Sequence, residues 1–194
     1  MKVTLTSGDA LVIIDMQNDF LPGGSLAVPM GDTIIPVINR YLRLFHDHGL
    51  PVFATRDWHP SDHCSFQQQG GQWPAHCIAT TSEAAFHPDI EFPINTQVIS
   101  KATTREKDAY SGFTDTQFNA LLQTSGIRRL FVGGIATEYC VLNTVKDALQ
   151  AHYATYVLED AIRAINLKPD DNLHALREMK RLGATLILFG AIAT

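Results

Sequence analysis

The chain has 194 residues, of which 45% are hydrophobic and 18% are charged, so it is long enough for one domain with a full hydrophobic core. The 15 basic and 20 acidic residues give a net charge of −5 without a basic patch, and no apolar run is long enough to cross a bilayer, which argues against nucleic acid and membranes as partners. Three cysteines are an odd number for a disulfide framework and the opening segment lacks a signal peptide, so we expect a cytoplasmic protein with reduced thiols.

Six short apolar runs predict buried strands. Each is rich in Val, Ile and Phe without polar alternation, which is typical of strands that are covered on both faces. In chain order they are ALVIID (10–15), PVFATRD (51–57), TQVISK (96–101), RLFVGG (129–134), ATYVLED (154–160) and ATLILF (184–189).

Four segments with helical spacing of apolar residues lie between these runs. They cover residues 33–49, 114–126, 137–153 and 169–183. Strands that alternate with helices indicate crossover connections and a parallel sheet. We therefore predict a single α/β domain over 1–194: a Rossmann-like three-layer sandwich whose central, mainly parallel six-stranded sheet carries helices on both faces.

One long segment, 58–95, has no predicted element. It holds both tryptophans, two of the three cysteines and four of the eight histidines. Loops of this length are usually functional or disordered, and this one is too aromatic for a disordered linker. We interpret it as a loop that binds a metal and a substrate.

Four successive predicted strands end next to chemically active side chains. Asp15, Asp57 and Lys101 end the first three, and a glycine turn after the fourth leads to Cys140. Ligand sites in open parallel sheets form at the carboxyl ends of the strands. The sequence therefore predicts that these four side chains meet at one edge.

Cys140 has two interpretations. A single cysteine is most often a buried structural residue. At the start of a helix, however, backbone N–H groups and a nearby Lys101 would lower its thiol pKa, and Asp15 could exchange its proton. We interpret Cys140 as a nucleophile, with the same N–H groups able to receive an oxyanion.

A metal site is predicted in RDWHPSDH. Asp57 and His59 are two residues apart and would point the same way in an extended segment, and His76 can supply a third ligand. One carboxylate and two imidazoles suit one divalent ion, zinc first, with iron or manganese as alternatives. His63 is a weaker candidate for a fourth ligand. The alternative is that this spacing arises by chance and that His59 bonds to a loop carbonyl.

At this point the chain resembles a known family, the isochorismatase-like cysteine hydrolases, and within it the nicotinamidase (pyrazinamidase) branch. The DWH metal motif favours that branch, because isochorismatase itself is not expected to carry it. The resemblance rests on IIDMQNDFLPGGSL, RDWHP, WPAHC, SKATTREKDAYSGF and VGGIATEYCVLNTVKDA, which together span residues 13–148.

The resemblance implies a catalytic triad of Asp15, Lys101 and Cys140. It also implies an oxyanion hole formed by the backbone N–H groups of Ala136 and Cys140, after a cis peptide that joins Ile135 to Ala136. The metal ligands that it implies are Asp57, His59 and His76.

The resemblance places the substrate ring between Phe20 and Trp73, with Tyr110, Tyr139 and Ile135 close by. For the aromatic residues, ordinary core packing is the alternative. The fourth metal position varies within the family, which leaves His63 open.

The activity implied is hydrolysis of nicotinamide to nicotinate and ammonia, and of pyrazinamide to pyrazinoate, through a thioester intermediate. The metal would bind the ring nitrogen of the substrate and orient its amide, and homo-oligomer formation is left open. Three alternatives remain at this stage: a metallohydrolase in which Cys140 is structural, another amide or ureide hydrolase of the same superfamily, and an inactive metal-binding or scaffold protein.

Overall fold

A computed structural model describes residues 2–193, which form a three-layer α/β sandwich. The strands are β1 (Val3–Thr4), β2 (Asp9–Ile14), β3 (Val52–Asp57), β4 (Gln97–Lys101), β5 (Arg129–Ile135), β6 (Ala154–Arg163), β7 (Thr185–Ile187) and β8 (Ile192–Ala193). The α-helices are α1 (Ile35–Asp47), α2 (Phe118–Thr124), α3 (Leu142–Gln150) and α4 (Asp171–Arg181).

The central sheet has six parallel strands in the order β4-β3-β2-β5-β6-β7. This is the doubly wound order, in which connections run outward in both directions from the first strand of the sheet. The predicted fold class is therefore confirmed, with every strand pair of the sheet parallel. The point where the order reverses lies between β2 and β5, which places the ends of β2 to β5 around one crevice.

Both faces of the sheet are covered, which is why its strands read as unbroken apolar runs. Leu11 and Ile13 of β2 pack in the cluster that contains α1, whereas Val12 and Ile14 pack with α2, α3 and α4 on the other face. The core therefore consists of two apolar layers separated by the sheet.

The sequence analysis missed β1 and β8, which pair in a separate two-stranded parallel sheet. Two residues are too few to show a hydrophobic period. The predicted strand 184–189 is also shorter than expected, because a 3-10 turn over Phe189–Ala191 follows β7.

The segment predicted as a helix from residue 137 begins differently. Thr137–Val141 form a π-helical turn, and the regular helix α3 starts only at Leu142. The Val141 N–H donates to the Ala136 carbonyl five residues earlier, one residue further than in an α-helix. Apolar spacing does not separate these two helix types, so the sequence could not show the change.

Gly134 allows the end of β5 to approach β2. Its φ is +119°, and an added Cβ would lie 2.1 Å from the Ile14 carbonyl oxygen. A residue with a side chain there would push apart the two strands that carry the Asp15 and Cys140 segments.

None of the helices formed within residues 2–193 combines the length and the apolar composition needed to span a bilayer.

Candidate active site

The structure brings Asp15, Lys101 and Cys140 together at the carboxyl edge of the sheet. Asp15 follows β2, Lys101 is the last residue of β4, and Cys140 lies in the π-helical turn after β5. Lys101 Nζ is 2.9 Å from Asp15 Oδ2 and 3.5 Å from Cys140 Sγ. All three side chains are buried. The groups predicted at the strand ends are therefore neighbours in space, although Asp15 and Cys140 are far apart in sequence.

Asp15 is oriented by a threonine that the sequence analysis did not identify. Thr55 Oγ1 donates a hydrogen bond of 2.6 Å to Asp15 Oδ1, which leaves Oδ2 towards Lys101. Thr55 is fully buried on β3 and its neighbour in the ladder is Ile14, the last residue before Asp15. The available signal was a threonine inside an otherwise apolar run.

Burial changes the acid–base properties of Cys140 and Asp15. Desolvation raises the pKa of the Asp15 carboxyl and raises the pKa of the Cys140 thiol well above its ordinary value, with Lys101 opposing both shifts. The sequence predicted a lowered thiol pKa, and the shift is in the opposite direction. Lys101 divides its attraction between two carboxylates, and Cys140 does not begin a regular α-helix. The two shifts favour a thiol at Cys140 and raise the proton affinity of the Asp15 carboxylate.

Lys101 remains charged in this buried setting. Burial by itself would lower its pKa, but the negative charges of Asp15 and Asp57 raise the pKa well above the usual lysine value. Its ammonium group donates to Asp57 Oδ1 and, at 3.2 Å, to the Ala109 carbonyl. One cation thus joins the base to the second carboxylate of the site.

That second carboxylate belongs to a donor set of three buried residues, Asp57, His59 and His76. Their ligand atoms all lie within 4.8 Å of one another, and Asp57 Oδ2 is 3.6 Å from His59 Nε2 and 4.0 Å from His76 Nε2. Burial would raise the Asp57 pKa, but the positive charge of Lys101 outweighs burial and holds that pKa below its ordinary range.

Both histidines are held in the tautomer that a metal needs. His59 Nδ1 lies 3.1 Å from the Ala102 carbonyl, and His76 Nδ1 lies 2.8 Å from the Pro74 carbonyl. Because a carbonyl oxygen only accepts, each Nδ1 carries a hydrogen, and each Nε2 lies on the side of the Asp57 carboxylate, where a metal could bind it. Burial also lowers the pKa of His76, which favours the neutral imidazole. The donors present therefore fit one divalent ion of the zinc type.

His63 is placed beside this donor set, with both ring nitrogens engaged elsewhere. Its Nδ1 is 2.8 Å from Ser65 Oγ and its Nε2 is 3.0 Å from the Lys107 carbonyl, while the ring stacks on His59 at 4.2 Å. The three-residue donor group does not include it. As placed, His63 supports the His59 ring rather than offering a fourth lone pair.

A small cavity, partly open to solvent, lies between Cys140 and the donor set. Phe20, Trp73, Tyr110 and Tyr139 all line it. Trp73 Nε1 donates to Tyr110 Oη at 3.0 Å, and the Trp73 and Tyr139 rings meet edge to face at 5.2 Å. These aromatic residues form one wall of the cavity, a slot that also reaches Cys140.

Ile135 does not reach this cavity. Its side chain is fully buried in the core layer that contains α1, and the neighbouring Ala136 lines the cavity instead. A cis peptide joins the two residues, as the resemblance implied. The assignment of the Ala136 and Cys140 N–H groups to an oxyanion hole stays a prediction.

Three further lining residues were missed: Leu26, Asp108 and Ile165. Leu26 and Asp108 lie inside stretches that carry the resemblance, but a lone leucine and an exposed aspartate give no signal by themselves. Ile165 comes from the region after residue 160, where the sequence showed no motif. Only the return of the chain after β6 brings it to the site.

A search against known families identifies the chain's relatives. The Isochorismatase domain model matches residues 9–189. The chain belongs to the isochorismatase family. Within that family it belongs with the nicotinamidases and pyrazinamidases, as the next similarities show, so the resemblance read from the sequence is confirmed.

The nicotinamidase of Escherichia coli is 38% identical, and the match covers 91% of this chain and 93% of that protein. The crystal structure of the pyrazinamidase of Pyrococcus horikoshii in complex with zinc is 46% identical with a TM-score of 0.90, covering 94% of this chain and 99% of that one. PnC1 from L. infantum, in complex with nicotinate, is 35% identical with a TM-score of 0.90, covering 100% and 99%.

Proposed function

We propose that this isochorismatase family member hydrolyses nicotinamide to nicotinate and ammonia, and pyrazinamide to pyrazinoate, through a thioester on Cys140. The observation that carries the proposal is the buried arrangement of Asp15, Lys101 and Cys140 at the end of an aromatic slot. The same slot ends at a donor set that could hold a metal ion for a pyridine nitrogen to bind. A triad is recognised by such geometry and not by the order of its members in sequence.

In the first half of the reaction, Cys140 Sγ attacks the carboxamide carbon. The thiol proton passes to Asp15, whose Oδ2 faces the centre of the group because Thr55 holds Oδ1. The raised pKa of Asp15 makes it a stronger base than an ordinary carboxylate. Asp15 then gives the proton to the departing nitrogen as the C–N bond breaks, and ammonia leaves.

In the second half, water adds to the thioester carbon. Asp15 accepts a proton from that water, the C–S bond breaks, and the proton returns to Cys140 as the acid is released. Lys101 stays protonated throughout and stabilises the transient negative charge on Cys140 and Asp15. The backbone N–H groups of Ala136 and Cys140 are the proposed donors to the oxyanion of each tetrahedral intermediate.

Asp57, His59 and His76 would hold one divalent ion, with zinc as the proposed metal and iron or manganese as alternatives. Such an ion supplies a Lewis acid that binds the substrate ring nitrogen and fixes the ring in the slot. The crystal structure of the similar P. horikoshii pyrazinamidase is a complex with zinc. The chain's own contribution is to hold the two Nε2 lone pairs and the Asp57 carboxylate on one side of the cavity.

A cytoplasmic location would suit a thiol nucleophile, because thiols stay reduced there. That location and homo-oligomer formation stay predictions.

The decisive experiment measures ammonia release from nicotinamide, pyrazinamide, benzamide and several aliphatic amides by the metal-loaded protein. We expect the two substrates with a ring nitrogen to exceed benzamide in kcat/KM by about tenfold or more, because benzamide has the same shape but no ring nitrogen. Equal values for nicotinamide and benzamide would contradict the orienting role of the donor set. Faster turnover of aliphatic amides would assign the protein to another amide hydrolase activity.

A further inference from the structure

The side-chain amide of Gln17 is buried against the backbone of Asp57. Gln17 Oε1 accepts the Asp57 N–H at 2.8 Å, and Nε2 donates to the Asp57 carbonyl at 2.8 Å and to the Ala84 carbonyl at 2.9 Å. The side chain is fully buried. Both hydrogens of this amide and its oxygen are therefore engaged with backbone groups.

This contact continues the sheet where its backbone pairing stops. The β2–β3 ladder ends at the pair Ile14 and Thr55, because Asp15 takes a left-handed φ of 49° and the chain turns away from β3. Asp57 still needs a partner on that side for its N–H and its carbonyl. The Gln17 amide supplies both bonds, as a residue of β2 would have done.

Asp57 contacts both parts of the site, the Lys101 group and the two histidines of the metal donor set. Its Oδ1 accepts from Lys101, and its Oδ2 faces His59 and His76. Gln17 in turn stands two residues after the base, Asp15, and its N–H donates to the Asp15 carbonyl at 2.8 Å. Gln17 thus connects the segment that carries the base to the strand end that carries the donor set.

We propose that Gln17 is a positioning residue that sets the distance between the reacting groups and the metal donor set, and thereby the preference for amides with a ring nitrogen. This rests on the proposed function, since the ring nitrogen must lie at the donor set while the carboxamide carbon lies at Cys140. A misplacement of about 1 Å between bound substrate and catalytic group can cost about 10²-fold in rate.

Only a glutamine meets these requirements at this position. Glutamate keeps an acceptor for the Asp57 N–H but has no hydrogen to donate to the two carbonyls. Methionine has a similar length and offers neither donor nor a strong acceptor. Asparagine is one methylene shorter and would not reach the same three groups without backbone movement.

The test compares Gln17→Met with a matched control, Asn39→Leu. The Asn39 amide also bridges the backbone, donating to the Asp89 carbonyl at 2.8 Å and accepting the Glu91 N–H at 3.0 Å, but it does so between α1 and a distant loop. Each substitution thus removes a buried amide that bonds to one backbone N–H and at least one carbonyl.

Two quantities are measured on each variant: the nicotinamide to benzamide ratio of kcat/KM, and the zinc dissociation constant from competition with a chelator. For Gln17→Met we expect the ratio to fall and the zinc constant to rise, each by about tenfold or more, the range typical of residues that orient metal ligands. For Asn39→Leu we expect both to stay within about twofold of the parent. A loss of folded fraction lowers turnover of both substrates equally and leaves the ratio unchanged.

Equal behaviour of the two variants would overturn the proposal and leave Gln17 as a structural residue. If Gln17→Met does not fold, Gln17→Glu is measured by the same two criteria, because it retains the acceptor for the Asp57 N–H. A parent protein without preference for nicotinamide would contradict the proposed function. The zinc dissociation constants would then still decide whether Gln17 orients Asp57.

Discussion

The proposed reacting groups (Asp15, Lys101 and Cys140) and the metal donor set (Asp57, His59 and His76) are adjacent, but the chain holds them in different ways. Asp15 follows β2, Lys101 ends β4, and Cys140 lies in the turn after β5, so the parallel sheet fixes their separation. Two of the three metal donors, His59 and His76, belong to the irregular segment 58–95 and are held through the carbonyls of Ala102 and Pro74, whereas the third donor, Asp57, ends β3. We infer that the sheet determines the bond-breaking chemistry, and that the loop together with the end of β3 determines which amides are presented to it.

The largest effect is expected from Cys140→Ala. Loss of the nucleophile should reduce turnover of every amide by about 10⁴-fold or more, while the fold and metal content remain. The loss of turnover is measured as ammonia release with one amide at a time. Cys64→Ala is the control, because Cys64 is also a free thiol but lies outside the cavity. Residual activity within tenfold of the parent would remove the nucleophilic role and favour a metallohydrolase.

His59→Ala tests the contribution of the loop 58–95 to the metal donor set. We expect about one metal per chain in the parent by elemental analysis, less in the variant, and a loss of about 10- to 100-fold in kcat/KM for nicotinamide. Benzamide turnover should change much less, because this substrate has no ring nitrogen to bind. A metal-free parent with full activity on nicotinamide would contradict the proposed donor set.

Trp73→Ala tests the aromatic wall between the two regions. The change removes a ring face and the hydrogen bond to Tyr110, so kcat/KM for nicotinamide should fall by well over about tenfold. Trp73→Phe keeps an aromatic ring but not the hydrogen bond and should lose about twofold to tenfold, since a neutral hydrogen bond contributes about 0.5–1.5 kcal/mol. Equal losses in both variants would show that the hydrogen bond matters more than the ring.

The smallest effect is expected from Thr55→Val, which tests how a residue of the sheet controls the pKa of Asp15. The Thr55 hydrogen bond lowers the pKa of Asp15 against the stronger effect of burial, so its removal should raise that pKa further. Activity requires the ionised base and is lost as pH falls through this pKa, which already lies above the ordinary 3.8.

The acid limb of kcat/KM against pH should therefore begin above that value in the parent and move to higher pH in Thr55→Val by about one unit or less. Activity at high pH should change little. An acid limb that stays in place would show that a group other than Asp15 is the base.

Much of the fold could be predicted from local patterns in the sequence. The unbroken apolar runs, the helical spacing between them and their alternation predicted the parallel sheet, because burial on both faces leaves no polar positions in such strands. The spacing of Asp57 and His59 indicated a metal site but left a chance occurrence open, and the resemblance implied the full set with His76. The strands β1 and β8 and the π-helical turn at Cys140 were not readable, since two residues show no period and apolar spacing does not distinguish helix types.

The sequence by itself determined which chemical groups stand at the strand ends, because a residue's position after an apolar run is a local property. Only the tertiary structure decided the protonation states, since the raised thiol pKa of Cys140 depends on desolvation by residues distant in sequence. It also decided that Ile165 joins the cavity, that Ile135 leaves it, and that the amide of Gln17 completes the sheet beside Asp57. Each of these depends on which backbone groups the folded chain leaves without a partner and on how far water is excluded, and neither is encoded in any short stretch of sequence.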